Sequence, residues 1–357
     1  MVRPSLLRRP EITPHEDYGF FGPDSVTWKV WSYPTSLTVG FQRAVVVEEL
    51  DPALVASVDE THAIFDRPRT RYDRTLRYFA LVAFGDSRST SKAADVLVKV
   101  HSKGIGTDPV TGIRYDANDP HSQLWIHLTA WHSILYAYEK YGPGRLSAEE
   151  EARYWEECAV AAELQTCSPD EVPRSREGIQ AYFDEMRPQL LGSDLARNAM
   201  NHLLDASVML PSMPRALAPV NWIAARVLRA GTVATMPRWM RDLSGLKQSR
   251  ITDTLVVPVL KIAFWLANAN RSAKLDILTF LSPMTRDVVA PVIFEVAPTY
   301  AEVLTPAAAR ERYGYDRPAD AHRELRERQA AKVFGEGVKP SEEGIIESEP
   351  ILGSIGA

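Results

Sequence analysis

A chain of 357 residues with 45% hydrophobic content carries enough apolar material for one large core or two ordinary ones, which excludes a disordered chain. The formal charge of −5 excludes a general nucleic-acid binder, and no nucleic-acid partner is expected. The two cysteines, Cys158 and Cys167, have neither metal-ligand nor redox spacing, so a reduced, cytoplasmic setting is the expectation.

Residues 1–23 read as an N-terminal arm of proline, charge and aromatics without period, and the arginines near its start are not followed by the apolar run of a secretory signal. The run DSVTWKVWSY (24–33) has two readings. Val26, Trp28 and Val30 alternate as on a strand, and Asp24 or Ser25 can equally cap a short helix. Pro34 opens a helix through TSLTVGFQRAVVVEEL, and Asp51-Pro52 starts another that carries Glu60. Arg67-Pro68 breaks the chain before RYDRT (71–75), and a helix with Leu76 and Phe79 inward follows from Arg74 to Phe84. Ser89 to Ser91 cap the next helix, whose stripe is Ala94, Leu97, Val98 and His101. Gly104 stops it and a loop runs to Asn118.

Asp119-Pro120 pairs a capping side chain with proline at the first helical position. The stripe Leu124, Leu128, Trp131, Leu135 and Tyr138 then includes His127, with His132 flanking it. Ser147 and Glu150 form a capping box for a helix to about Gln165. Further helices are expected at 176–187, 194–209, 215–230 and 252–268, with breaks at Pro211, Pro214 and Pro237. Thr305-Pro306 opens another, and 318–334 forms a charged one. The acidic tail 335–357 reads as disordered. The fold class is all-α: a single large helical domain over 24–334. The most apolar window, Leu255 to Ala267, is interrupted by Pro258 and Lys261 and falls short of the about 20 residues that span a bilayer. The segments 220–240 and 252–268 are core helices, a substrate wall, or a surface resting on a membrane.

Three histidines share one region. His101 at the end of an apolar stripe is either a core residue with one satisfied nitrogen or a metal ligand whose second nitrogen binds a carbonyl or carboxylate. Arg71, Arg74 and Thr75 are either a solvated helix start or an anion-binding element suited to carboxylates. His127 and His132, five residues apart, point roughly 140° from each other on a helix and make a poor chelating pair. Glu60 is either solvated or a general base. Nucleophile-elbow, phosphate-loop, dinucleotide-binding and Cys-x-x-Cys-His motifs do not occur.

The segments FGPDSVTWKV (Phe21 to Val30), Asp51-Pro52, RYDRT (Arg71 to Thr75), AFGD (Ala83 to Asp86), VKVHSKGIG (Val98 to Gly106), YDANDP (Tyr115 to Pro120) and LWIHLTAWHSILYAYE (Leu124 to Glu139) occur in an order that resembles the MpaB-type oxygenase and latex-clearing-protein family, over roughly residues 18–245. The resemblance implies an all-helical, globin-like core around a non-covalent haem b, and therefore a helix at DSVTWKV. It implies an oxygenase that acts with dioxygen on an apolar, isoprenoid or lipid-like small molecule. His101 matches the family's proximal iron ligand, Arg71, Arg74 and Thr75 match an Arg-x-x-Lys/Arg-Thr element beside the haem, and His127 matches a Trp-Val-His. Glu60 matches a glutamate of a Glu-His-Ser element, written here Glu60-Thr61-His62, and Asp51-Pro52 stands where relatives carry His-Pro. On this reading His101, Arg71, Arg74, Thr75 and His127 bind the cofactor, and Glu60, His62 and Arg74 are the catalytic candidates. The setting is cytoplasmic with peripheral membrane contact. The alternative is a non-catalytic haem- or lipid-binding helical protein that retains the fold.

Overall fold

The computed structural model describes residues 12–206 and 214–340. The described chain is helical apart from one small ribbon, as the composition of capped apolar stripes requires. The first four helices are α1 (Val26–Trp31), α2 (Phe41–Val47), α3 (Pro52–Glu60) and α4 (Ala63–Asp66). Then come α5 (Pro68–Phe84), α6 (Ser87–His101), the antiparallel pair β1 (Ile105–Thr107) and β2 (Arg114–Asp116), and α7 (Pro120–Tyr141). The series continues with α8 (Ala148–Ala162), α9 (Arg176–Met186), α10 (Asp194–Leu203), α11 (Ala218–Thr235), α12 (Arg238–Ser244) and α13 (Arg250–Asn268). It closes with α14 (Arg271–Leu281), α15 (Arg286–Ile293), α16 (Pro306–Tyr313) and α17 (Arg323–Ala330).

Helix α7 is the spine. Its 22 residues span about 33 Å, and Trp125, Leu128, Trp131 and Ile134 along it are fully buried. The turn at Ser36–Gly40 and helix α2 pack along its length, and α1 and α8 close its other flank. Trp31, Trp131 and Tyr154 meet ring to ring, with centroids 5.1 Å and 5.0 Å apart across the two contacts. A second apolar cluster joins Tyr141 at the end of α7 to Val256, Leu260 and Phe264 on one side of α13.

Several caps fall where the side chains dictate. Asp119 accepts from the Ser122 amide at 3.0 Å with Pro120 as the first helical residue, and Ser147 and Glu150 exchange both bonds of a capping box at 3.2 Å. Of the two readings of DSVTWKV, the helix holds: the Ser25 hydroxyl accepts from the Trp28 amide at 3.0 Å and starts α1. Three expectations are corrected. The chain does break at Arg67, but α5 begins at Pro68 rather than at Arg74, so Arg71, Arg74 and Thr75 lie within a helix at i, i+3 and i+4. Asp86, rather than Ser89 to Ser91, caps α6, accepting from the Ser89 amide at 2.7 Å. The segment from Gly104 to Asn118 is not a plain loop, because it folds back as the β1–β2 ribbon with Gly106 opposite Tyr115.

Of the arm, residues 12–23 are described, and they are bound to the body. The amide of Tyr18 donates to the Glu302 carbonyl at 2.9 Å, and those of Thr299, Tyr300 and Leu304 donate to the carbonyls of His15, Glu16 and Gly19 at 2.9, 2.8 and 2.9 Å. The buried Asp17 carboxylate accepts from the amides of Gly19 at 2.7 Å and Ser87 at 2.8 Å, and from the Ser87 hydroxyl. The break expected at Pro211, the end of the helix expected at 194–209 and most of the tail expected to be disordered lie outside the described residues.

Candidate functional site

Helix α6 ends at His101, and the ribbon that follows determines what the imidazole faces. The Ala117 amide donates to the Gly104 carbonyl at 2.7 Å. The Asn118 side chain donates to the Val98 carbonyl at 2.9 Å, and the Thr166 hydroxyl to the Asn118 carbonyl at 2.9 Å. These bonds bring Ala117 back against the end of α6. Gln123, one turn into α7, donates to the Ala117 carbonyl at 2.6 Å, and its Nε2 stands 3.5 Å from His101 Nδ1. No hydrogen bond to His101 Nε2 occurs among the described residues.

Burial pushes the His101 imidazole down to about 4, the Arg71 charge pushes the same way, and the Ala117 carbonyl opposes both. The ring is therefore neutral at physiological pH. In the tautomer that carries its proton on Nδ1, the Nε2 lone pair is uncommitted.

Arg71 also faces two carboxyls that the sequence reading passed over. Glu48 and Glu49 follow α2 directly. Burial raises both to about 8; the Glu48 charge raises Glu49 further, and Arg71 opposes the shift in each. Glu49 is buried and its Oε2 has no hydrogen-bond partner. The backbone around the pair is fixed, since the Trp125 indole donates to the Glu48 carbonyl at 3.2 Å and the Leu191 amide to the Leu50 carbonyl at 2.8 Å. The sequence signal was there to read: two acids between Val47 and Leu50, with no turn residue separating them from the apolar run.

The expected site residues divide. His101 and Arg71 come together. Arg74 and Thr75 follow on the same half-buried stretch of α5, where the Thr75 hydroxyl donates to the Arg71 carbonyl at 2.9 Å, the local bond of its structural reading. Glu60 and His62 do not join the group: both are exposed at the end of α3, Glu60 lies 3.7 Å from Lys339, and His62 takes a left-handed backbone with φ 47°. His127 is in the core, with Nε2 2.8 Å from the Cys158 carbonyl, and burial lowers it to about 4. His132 stands 3.3 Å from an Arg43 nitrogen and packs on Phe183. Asp51, at the family's His-Pro position, accepts from the Ala53 amide at 2.8 Å and serves as the cap of α3.

Among the described residues no group of three or more His, Cys, Asp or Glu gathers as a chelating set. An iron here would need a ligand system of its own, with one protein nitrogen, and His101 fits that requirement. The Arg71 guanidinium beside it fits the carboxylates that a porphyrin carries.

Fold and site together define an all-α protein with a half-buried imidazole, His101, on the same site as the half-buried Arg71. The profile of the family described as ER-bound oxygenase mpaB/B′/rubber oxygenase, catalytic domain, matches residues 28–269, and the chain belongs to that family. It is thus an oxygenase-family catalytic domain, of a class that acts on small molecules with dioxygen. No curated protein and no solved structure matches the chain.

Proposed function

We propose that the chain is a haem b-dependent oxygenase, a dioxygenase or monooxygenase, acting on an apolar, isoprenoid or lipid-like molecule. The observation that carries this reading is the neutral, half-buried His101, backed by Ala117 and Gln123, with Nε2 uncommitted. In it, His101 Nε2 holds the iron, and Arg71 and Arg74 meet the haem propionates. Thr75, through its bond to the Arg71 carbonyl, braces that turn of α5. Bound haem supplies the redox-active iron that dioxygen chemistry requires. Glu48 and Glu49, raised to about 8, keep a proton at neutral pH beside Arg71. They are better placed to hold or pass one than the exposed Glu60 and His62. His127, held by Cys158, supports α7 behind the site. A substrate of this class partitions into lipid, so peripheral contact of a cytoplasmic protein with a membrane is part of the reading.

The absorption spectrum of protein expressed with a haem precursor tests the reading. A Soret band is expected, and it should be lost in His101→Ala. No band in the wild type, or an unchanged band in the variant, would overturn the assignment. A second reading, a non-catalytic haem- or lipid-binding protein, is favoured by the exposure of Glu60 and His62 and by Asp51 at the His-Pro position. Oxygen uptake by the haem-loaded protein with isoprenoid substrates separates the two, since a binding module consumes none.

A further inference from the structure

Helix α13 is amphipathic in an unusual sense: both of its faces are apolar. Val256, Leu260 and Phe264 are buried against Tyr141 and α11. At 100° per residue, Ile251, Leu255, Val259, Ile262 and Leu266 fall on the opposite side, and all are exposed, Leu255 to 63% and Trp265 beside them to 65%. Only 17% of its most apolar window is buried. The neighbouring helices continue the surface, with Val220, Trp222 and Ile223 of α11 on one side and Ile277 and Phe280 of α14 on the other. Scattered exposed leucines need no explanation; a contiguous apolar surface over three helices does.

Charge indicates what covers it. Residues 214–280 hold ten Lys and Arg against three Asp and Glu, a balance of +7 in a chain whose total is −5. Within this count Arg241 is paired with Asp253 at 2.8 Å, and Arg271 with Glu295 outside the segment. Lys247, Arg250 and Lys261 are exposed, and the Arg226 guanidinium lies over the exposed Trp222 ring at 5.1 Å. Beside Lys261 runs an open groove of about 450 Å³, lined also by Tyr33, Pro143, Ile262 and Trp265. A partner that accepts exposed aliphatic side chains and also rewards positive charge and tryptophan at the rim is a bilayer with anionic headgroups. The anchoring of α13 along Tyr141 and α11 holds it flat against the body, so the helix lies on the surface of a bilayer rather than crossing it.

We infer that the α11–α13–α14 face docks on anionic phospholipid membrane, with Leu255, Ile262 and Trp265 entering the acyl boundary and Arg250 and Lys261 meeting phosphates. This specifies the membrane contact of the proposed function, yet its test reads lipid binding alone: a protein without a Soret band can still bind vesicles, and the reverse holds.

The experiment is co-sedimentation of the full chain with phosphatidylcholine vesicles containing 30% phosphatidylglycerol or none. Binding to the anionic vesicles is expected, weakened at least tenfold by the pair Ile262→Glu and Trp265→Glu. The pair Arg250→Glu and Lys261→Glu should erase the preference for anionic lipid. Because all four side chains are exposed, circular dichroism should be unchanged. If the glutamate pair alters it, Ile262→Gln with Trp265→Gln takes its place. Wild-type protein that stays in the supernatant with both vesicles overturns the inference, as does binding that the apolar pair leaves intact. A dimer in light scattering that the apolar pair dissociates, without vesicle binding, overturns it too and assigns the face to a second copy.

Discussion

Gln123 Nε2 stands 3.5 Å from His101 Nδ1 while donating to the Ala117 carbonyl at 2.6 Å, so one amide arranges both polar neighbours of the imidazole. A carboxylate in its place would favour the charged ring. Gln123→Glu should raise the His101 proton affinity at least tenfold from its value near 4, read by NMR titration of the ring in haem-free protein. An unmoved titration would remove Gln123 from contact with the ring.

Glu49 titrates the other way. Its carboxyl is raised from 4.5 to about 8, by burial first and then by Glu48, so the folded state holds a proton that the unfolded chain releases. Its contribution to stability is full below about 4.5 and is lost as pH rises through about 8. Glu49→Gln carries no such loss. Measured by denaturant unfolding, the variant should gain on the order of 2 kcal/mol relative to wild type between pH 5 and pH 8. Parallel pH profiles would show that Glu49 is ionised in the folded protein.

His127 gives the opposite slope. Burial lowers it to about 4 against an ordinary 6.5, so its contribution is present above 6.5 and is lost as pH falls through about 4. His127→Leu strands the Cys158 carbonyl and should cost about 1–3 kcal/mol at pH 7. In thermal melts that deficit should narrow toward pH 4; a constant deficit would mean the wild-type ring does not titrate there.

Asp17 bonds the arm to the start of α6 through two contacts with Ser87, and accepts a third from the Gly19 amide within the arm. Removing a buried carboxylate acceptor leaves the Ser87 and Gly19 amides unsatisfied, so Asp17→Ala should lower stability by about 2–3 kcal/mol. Limited proteolysis should then cut within residues 12–23, which the wild type protects.

Much of this was legible because it is local chemistry. Asp119-Pro120 and the Ser147–Glu150 box caps carry their own bonds, and the apolar stripe of α7 names its buried face from spacing alone. The position of His101 was legible from the stripe of α6, and its neighbours were not. Ala117 arrives through a ribbon of three-residue strands containing Gly106, too short and too weak in propensity to stand out. Pro68 read as a breaker, because proline at a first helical position and proline in a loop look alike without the fold. Glu48 and Glu49 drew no reading, since the burial that shifts them comes from elements far along the chain, Trp125 of α7 and the segment at Leu191.

The strap joining residues 15–19 to 299–304 imposes an order on biosynthesis. The family-matched region is complete once residue 269 has been translated, but the partners of the arm have then not been made. At ribosomal rates the interval to residue 304 is on the order of a few seconds. During it, the arm reaches α6 through the Asp17–Ser87 bonds alone, while α6 is already pinned to α5 by the Thr90 hydroxyl on the Leu81 carbonyl. A protein released early would carry every residue of the candidate site, with the Ala117, Asn118 and Gln123 bonds at the His101 end already available, and would lack only the backbone partners that residues 299–304 give the arm.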